Sequence, residues 1–277
     1  MLREWTRADT IDLLSVPTAD DDKYSRGVVA LRTGSAEYPG AAVLGVEAAW
    51  RSGAGYVRYL GDAVGAVLAR RPETVAGADI GDMRAGAWVI GSGSDAAHRS
   101  GHEQAVLVRI LGGTAPVVVD AGALDLAEGA VAPLVLTPHA GELARLRQLL
   151  GLEVVDLSAE QTRVAAVVET AEHVGATVLL KGARSVVAAP RVTPIVVSGA
   201  PHWLATAGTG DVLAGILGTM LATNPDRPHS EAAAAAAWLH GYAAALASGT
   251  ADGGIGHPIV ALDVAEALPR AIGELLS

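Results

Sequence analysis

The sequence contains no cysteine, which excludes disulfides, thiolate nucleophiles and cysteine-ligated metal sites. It also contains no phenylalanine, an absence with no functional reading. Basic residues are scarce: 20 Lys and Arg stand against 30 Asp and Glu, and the net charge of −10 argues against non-specific nucleic-acid binding. An anionic ligand must therefore be held by a local group of donors rather than by the overall field.

Several common motifs are missing as well. The N-terminal residues mix both signs of charge without the apolar core of a signal peptide, and no apolar run is long enough to suggest a membrane span. There is no Gly-Lys-Ser/Thr, no Gly-x-Gly-x-x-Gly and no nucleophile elbow. His98 and His102 lack a third metal ligand. We expect a cytoplasmic protein that binds neither membrane nor nucleic acid and has no metal site built from its own side chains.

What the chain does contain is apolar material, 51% of its residues, arranged in short runs that alternate with longer amphipathic stretches. Runs that are almost wholly apolar and end at Gly, Asp, Thr-Pro or Lys-Gly are typical of strands covered on both faces. The predicted strands are Val28–Leu31, Tyr56–Leu60, Trp88–Ile90, Val117–Val119, Leu134–Leu136 and Val178–Leu180, followed by Val186–Ala188 and Pro194–Val197 as a hairpin.

Helical patterns lie between and after these strands. They are Ala41–Arg51, His102–Leu111, Gly141–Leu150, Ala159–His173, Thr209–Ala222, Glu231–Ala247 and Asp263–Leu276. The alternation predicts an α/β fold with a mainly parallel sheet between two layers of helices. No linker interrupts it, so we expect one domain over residues 1–277. Ligands of such sheets bind beyond the carboxyl ends of the strands, where the loops carry the chemistry.

The strongest chemical signal is the turn Gly208-Thr209-Gly210-Asp211, which runs into a predicted helix. Its glycines let a phosphate approach the backbone, and the first N–H groups of the helix point at such a ligand. Asp211 would accept a proton from a substrate hydroxyl. The pattern is equally that of a glycine-rich connection in which Asp211 caps a helix.

Two further segments follow predicted strands. Pro138 turns the chain after one strand and presents His139 at its end, or His139 simply begins the next helix. Lys181-Gly-Ala-Arg184-Ser ends another strand, where its cations would neutralise phosphate charge or form a solvated turn.

Three weaker segments remain open. Gly91-Ser-Gly-Ser-Asp95 would line a ligand. Asp120 would meet Mg²⁺ through water, or would have no role in binding. Tyr38-Pro-Gly-Ala-Ala42 would face a ring or a sugar, or would only start a helix.

Taken together, these segments resemble one family. Gly208-Thr-Gly-Asp211 resembles the anion hole and catalytic base of ribokinase-like enzymes. Tyr38-Pro-Gly-Ala-Ala-Val-Leu, Arg51-Ser-Gly-Ala-Gly-Tyr-Val, Leu136-Thr-Pro-His-Ala-Gly-Glu-Leu, Leu180-Lys-Gly-Ala-Arg-Ser and Leu204-Ala-Thr-Ala-Gly-Thr-Gly-Asp are similar to the ADP-dependent NAD(P)H-hydrate dehydratases. The match runs in order over nearly the whole chain.

The resemblance implies an enzyme of nicotinamide nucleotide repair. It would dehydrate the 6S hydrate of NADH or NADPH while ADP becomes AMP and phosphate, with Mg²⁺ accompanying the nucleotide and the chain forming a tetramer. The site residues carried over are the base Asp211; Gly208, Thr209 and Gly210 for the anion hole; Ala41, Gly93, His139 and Asp211 for the hydrate; and Lys181, Gly182, Ala183, Arg184, Ser185 and Gly210 for the nucleotide.

The chain departs from the family's pattern at several positions. Gly91-Ser-Gly-Ser-Asp95 stands for Gly-Pro-Gly-Leu-Gly, and Asp120-Ala-Gly122 stands for Asp-Ala-Asp. We expect no epimerase domain of the kind that is fused to some relatives. A ribokinase-like small-molecule kinase, such as a hydroxyethylthiazole or hydroxymethylpyrimidine kinase, would use the same turn and remains the alternative. A nucleotide-binding regulator without turnover is a third reading, against which the intact Asp211 argues.

Overall fold

The computed structural model describes residues 2–77, 80 and 84–277 of the chain. Its strands are β1 (Arg3–Glu4), β2 (Val28–Arg32), β3 (Tyr56–Tyr59), β4 (Val75–Ala76), β5 (Ala87–Ile90), β6 (Val117–Val119), β7 (Leu134–Leu136), β8 (Thr177–Leu180), β9 (Ser185–Ala188) and β10 (Ile195–Val197). Its α-helices are α1 (Arg7–Ile11), α2 (Pro39–Arg51), α3 (Val64–Arg70), α4 (Gly101–Leu111), α5 (Ala140–Leu149), α6 (Glu160–Val174), α7 (Thr209–Thr223), α8 (His229–Ser248) and α9 (Ala261–Leu276).

Within the described residues, these strands form one sheet of ten in the order β1-β10-β9-β8-β7-β6-β5-β2-β3-β4. Neighbouring strands are parallel except at β9, which runs antiparallel to both β8 and β10. The α/β fold class predicted from the sequence is therefore confirmed, and so is the pairing of β9 with β10. Two short edge strands, β1 and β4, and two helices, α1 and α3, were not predicted.

Helices cover both faces of the sheet, and alternate residues of each strand enter different cores. Val29 and Leu31 of β2 belong to the core cluster that includes α2, α7, α8 and α9, whereas Ala30 belongs to the cluster that includes α4, α5 and α6. Most strand residues are consequently buried on both sides, which accounts for the continuous apolar runs in the sequence. None of the helices in the described part of the chain is long and apolar enough to cross a membrane.

The carboxyl ends of the central parallel strands meet at one edge, where the predicted site segments lie. Gly91 follows β5, Asp120 follows β6, Thr137 follows β7 and Lys181 follows β8. Gly91 has φ +93°, and a Cβ there would overlap the carbonyl oxygen of Asp120, so only glycine allows these two loops to approach so closely. We call this region the carboxyl edge.

Candidate active site

The Gly-Thr-Gly-Asp turn starts α7. Gly208 precedes the helix in the left-handed region at φ +87°, and a Cβ there would lie 2.7 Å from Cδ1 of Leu44. A side chain at this position would therefore be both strained and crowded. The hydroxyl of Thr209 donates to the carbonyl oxygens of Leu204 and Thr206, at 3.2 and 2.9 Å, which ties the turn to the preceding segment.

Two N–H groups of this helix start are available to a ligand. Among the described residues, no backbone carbonyl accepts from the N–H of Thr209 or of Gly210. The next N–H, that of Asp211, donates to the carbonyl of Gly208 at 3.1 Å. Free N–H groups at a helix start attract anions because the helix dipole adds partial positive charge there. The turn thus has the geometry of an anion site.

Asp211 lies in the first turn of α7 with its side chain half-buried. The pKa of its carboxyl is raised to about 7, chiefly because burial disfavours the charged form. The negative charge of Asp120 acts in the same direction, and the positive charge of Lys181 opposes both. Near neutral pH this carboxyl exchanges a proton readily, which is the property required of a general base.

Lys181 brings a cation to the turn. Its Nζ donates to Oδ1 of Asp120 at 2.7 Å and lies 3.7 Å from Oε2 of Glu142. Burial by itself would lower the pKa of Lys181, but the charges of Asp120 and Glu142 outweigh burial and raise it. A Cβ on Gly210 would lie 3.4 Å from Nζ, so the ammonium group stands beside the free N–H groups of the turn.

Asp120 is buried beneath this ammonium group and is fully engaged by protein donors. Besides Lys181, the hydroxyl of Thr137 donates to its Oδ1 at 2.9 Å and the hydroxyl of Ser92 to its Oδ2 at 2.9 Å. The loops after four neighbouring strands, β5, β6, β7 and β8, are thereby joined through one carboxylate. The structure therefore gives Asp120 a partner that the sequence did not predict, and this partner is Lys181.

His139 begins α5 and caps it. Its Nδ1 accepts hydrogen bonds from the N–H groups of Gly141 and Glu142, at 3.0 and 3.2 Å. In return Glu142 Oε2 accepts from the N–H of His139 at 2.8 Å, and its Oε1 lies 3.4 Å from Nε2 of the ring. This reciprocal capping box holds the imidazole at the carboxyl edge while leaving about half of its side chain exposed.

Ala41 and Gly93, both predicted to contact the hydrate, touch each other. Gly93 has φ +68°, and a Cβ there would overlap Cβ of Ala41 and lie 3.1 Å from the carbonyl oxygen of Tyr38. The loop after β5 therefore packs directly on the first turn of α2. Because Gly93 is one residue from Ser92, this contact is continuous with the network around Asp120.

A cavity of about 440 Å³ opens beside the turn and reaches the loop after β8. Its lining includes Lys181, Gly182, Ala183, Ser185, Thr209, Gly210, Leu204, Leu213, Ala237 and His240. A second cavity of about 550 Å³ adjoins it and shares Gly182, Ser185 and Ala200 to His202. Apart from Arg184, the predicted nucleotide residues thus line a space of suitable size.

Arg184 lies differently from its neighbours. Its guanidinium pairs with Glu160, approaches Glu4 at 3.3 Å and donates to the hydroxyl of Ser198 at 3.0 Å. The side chain is thus committed to α6, β1 and the segment after β10. Nucleotide binding by Arg184 remains a prediction.

Sequence reasoning missed the roles of Glu142, Thr137 and His240 at this edge. Thr137 and Glu142 stand on either side of His139, in a segment that the sequence did single out. What the sequence did not predict is that this segment lies close to Lys181. His240 lies inside the alanine-rich α8, where periodicity does not distinguish a cavity-lining histidine from a core residue. Among the described residues, no group of three or more His, Asp or Glu is arranged to hold a metal ion.

The fold defines a class, the proteins with a ribokinase-like α/β fold. Within that class, the chain belongs to the NAD(P)H-hydrate dehydratase family, whose model matches residues 29–261.

Individual relatives agree with this assignment. The chain is 42% identical over 257 residues to the bifunctional NAD(P)H-hydrate repair enzyme Nnr of Mycobacterium leprae, covering 90% of this chain and 51% of that protein. It is 38% identical to the ADP-dependent (S)-NAD(P)H-hydrate dehydratase of Neisseria meningitidis, covering 90% and 86%. The chain spans about half the length of the first curated relatives it matches.

A solved structure shares the whole fold. The ADP/ATP-dependent NAD(P)H-hydrate dehydratase of Bacillus subtilis, co-crystallised with ATP and Mg²⁺, superposes with a TM-score of 0.84 at 26% identity. The match covers 99% of this chain and 98% of that one.

Proposed function

We propose that this chain catalyses the ADP-dependent dehydration of the 6S hydrate of NADH or NADPH, within a single domain that spans residues 1–277. The observation that carries the proposal is the proximity of three groups at the carboxyl edge. A carboxyl with a pKa of about 7 follows two free backbone N–H groups, and the Lys181 ammonium stands beside them. These are the base, the anion hole and the cation that phosphoryl transfer to a hydroxyl requires.

The proposed reaction has two steps, phosphorylation of the hydrate and elimination of phosphate. In the first step Asp211 accepts the proton of the ring hydroxyl, and the hydroxyl oxygen bonds to the terminal phosphorus of ADP. The phosphoanhydride bond breaks at the same time and releases AMP. The carbon–oxygen bond of the phosphorylated hydrate then breaks, phosphate leaves, and loss of a proton from the adjacent ring carbon restores the double bond. Because phosphate is a far better leaving group than hydroxide, the first step makes the second one easy.

The roles proposed for the remaining residues combine the lining of the cavity with the family resemblance. Gly208, Thr209 and Gly210 would hold the transferring phosphoryl group on backbone N–H groups. Lys181 to Ser185 would line the path of the nucleotide, and Lys181 would neutralise its phosphate charge. As the resemblance implies, Ala41, Gly93 and His139 would contact the hydrate.

Mg²⁺ would accompany the nucleotide and offset its negative charge. Such an ion is held largely by phosphate oxygens and water and needs only one or two carboxylates from the protein. Asp120 is engaged by three protein donors, so Glu142 and Asp211 are the carboxylates of this edge that the ion would face through water. The donor set fits an ion that arrives with its nucleotide.

The deciding experiment incubates the purified protein with NADH hydrate and either ADP, ATP or no nucleotide. We expect the absorbance of reduced nicotinamide to recover only with nucleotide and Mg²⁺, with one AMP and one phosphate formed per NADH when ADP is used. Nucleotide turnover without recovery, when a small alcohol replaces the hydrate, would mean a kinase. Binding without any turnover would mean a regulator.

Two further features belong to the same proposal. The resemblance implies a tetramer, and we also propose a cytoplasmic location. Light scattering of the purified protein tests the first, and fractionation of the cells that make it tests the second. A monomer with full repair activity would show that assembly is not needed for the chemistry.

A further inference from the structure

Two helices bring the two halves of the proposed site together. α2 carries Ala41, a proposed hydrate contact, in its first turn, and α7 carries Asp211 in its first turn. The helices meet at the anion turn itself: a Cβ on Gly208 would lie 2.7 Å from Cδ1 of Leu44 and 3.8 Å from Oδ2 of Asp211. The position of α2 relative to α7 therefore sets the distance between the hydrate contact and the base.

One turn beyond the site, the backbones of these two helices touch. A Cβ added at Gly215 of α7 would overlap the carbonyl oxygen of Gly45 and lie 2.9 Å from Cβ of Ala48. One further turn along, the hydroxyl of Thr219 donates to the carbonyl oxygen of Ala49 at 3.1 Å, which fixes the helices in register. Glycine is less favourable than alanine inside a helix, and here its missing side chain is what allows the close approach.

The nucleotide side of the site does not depend on α2. Among the described residues, the lining of the cavity beside α7 includes none from α2. α7 itself packs against α8 and against β2, β5 and β6, so it is held from two other directions. A displacement of α2 would therefore change the contacts with the hydrate and leave the nucleotide contacts in place.

We propose that Gly215 is a positioning residue, which sets the distance between the first turn of α2, where the hydrate binds, and the base at the start of α7. This inference rests on the proposed function in that the hydrate is taken to bind at the first turn of α2. It adds that a backbone contact outside the site controls how the ring hydroxyl meets Asp211.

Gly215→Ala is the direct test. The added methyl group cannot overlap a carbonyl oxygen, so α2 must move away by about 1 Å to restore an ordinary contact. A misplacement of about 1 Å can slow a reaction by about 10²-fold. We expect kcat/KM for NADH hydrate to fall by about that factor, whereas the Kd for ADP, measured by calorimetry, stays unchanged. Equal losses for both substrates, or no loss for either, would overturn the proposal.

Gly218→Ala is the matched control, because it adds the same methyl group to the same helix against the sheet instead of α2. A Cβ there would lie 2.5 Å from Cγ2 of Val89 and 3.1 Å from Cγ1 of Val29. It should lower the melting temperature through overpacking but show no selective loss for the hydrate. A selective loss of the same size in this control would mean that overpacking of α7, and not the position of α2, is responsible.

Gly45→Ala tests the same contact from the α2 side with a milder change. Its Cβ would lie 3.2 Å from Cδ2 of Leu31 and 3.6 Å from the carbonyl oxygen of Asp211, so a smaller shift suffices. We expect a smaller loss, again confined to the hydrate. If Gly215→Ala does not fold, this variant decides, and unchanged hydrate kinetics in it would overturn the proposal.

Titration with NADH, the expected product, measures the hydrate side without turnover. We expect NADH to bind the Gly215→Ala variant about tenfold more weakly than the wild type. The same titration separates the two ideas. If the wild type does not repair the hydrate but Gly215→Ala selectively weakens NADH binding, the proposed function fails and this inference stands. If the wild type repairs the hydrate and Gly215→Ala binds NADH normally, only this inference fails.

Discussion

Nζ of Lys181 donates to Oδ1 of Asp120 at 2.7 Å, although 61 residues separate the two in the chain. The pair joins the ends of β6 and β8 directly beneath the start of α7. It has two consequences for the site. The carboxylate keeps the lysine cationic, and both charges act on Asp211, in opposite directions. Three of the predictions below test this arrangement.

Replacing Asp211 with Asn should abolish turnover while leaving nucleotide binding intact. The amide keeps the shape of the carboxylate but cannot accept the hydroxyl proton, and the N–H groups of Thr209 and Gly210 are unaffected. We expect kcat to fall by about 10²–10⁴-fold. Steady-state kinetics with NADH hydrate and titration with ADP measure the two effects. Near-normal kcat would remove Asp211 from the role of base.

Activity should rise with pH through about 7, because Asp211 accepts a proton only in its ionised form and its pKa is raised to about 7. The same shift affects stability. The folded protein holds this proton more tightly than the unfolded chain does, so stability falls as pH rises from about 4 to about 7. Asp211→Asn lacks this loss, and its stability relative to the wild type should therefore increase over that range. Thermal unfolding at a series of pH values tests this, and a constant difference would contradict it.

Asp120→Asn should move the acid limb of the pH–kcat profile to lower pH. The charge of Asp120 raises the pKa of Asp211, so its removal lets Asp211 ionise more easily. Ser92→Ala is the matched control, because it removes one hydrogen bond to Asp120 and leaves the charge in place. If kcat fell in both variants while the pH of the acid limb stayed the same, Asp120 would only maintain the structure.

Lys181→Met should raise the nucleotide KM more than it lowers kcat, since the cation neutralises phosphate charge in the ground state as well as in the transition state. It should also destabilise the protein by about 3 kcal/mol, because the charge of Asp120 is left buried without a partner. Initial-rate kinetics and urea unfolding measure the two effects. A larger effect on kcat than on KM would assign Lys181 to the transition state.

The double variant Lys181→Met with Asp120→Asn provides the control for stability. Removing the stranded charge should recover part of the loss, so the double variant should be more stable than the sum of the single changes implies, by about 0.5–3 kcal/mol. Strict additivity would mean that the two groups do not interact in solution.

Gly210→Ala should weaken ADP binding without unfolding the protein. The added Cβ would lie 3.4 Å from Nζ of Lys181, in the space where a phosphate would approach the backbone. Gly273→Ala in α9 is the matched control, because a Cβ there meets nothing within 4 Å. Both changes should favour their helices by up to about 1 kcal/mol, and only the first should raise the Kd for ADP. Equal affinities would place the nucleotide elsewhere.

The sequence predicted the strands well where burial on both faces produces a continuous apolar run. β6 and β7 match their predicted bounds, because parallel strands buried on both faces are continuous apolar runs. β1 was missed because its two residues, Arg3 and Glu4, are exposed and polar and form a strand only by pairing with β10. Edge strands of this kind depend on their partner rather than on their own composition.

For the site, the sequence indicated which segments carry polar groups but not which groups meet. Asp120 and Lys181 were both singled out, yet their ion pair depends on two strands lying on either side of β7. Arg184 was grouped with Lys181 because it is close in sequence, whereas the turn after β8 directs its guanidinium toward Glu160 and Glu4. Tertiary packing determines which side chains form ion pairs, and the spacing of residues along the chain does not predict it.

The capping role of His139 limits what its ring can do for a ligand. With the Nδ1 lone pair given to two backbone N–H groups, the neutral imidazole carries its hydrogen on Nε2. In the proposed reaction it would therefore donate to an oxygen of the hydrate, and it has no free electron pair with which to take a proton from it. Substrate orientation and deprotonation would then be divided between two helix starts, α5 supplying a donor and α7 supplying the acceptor.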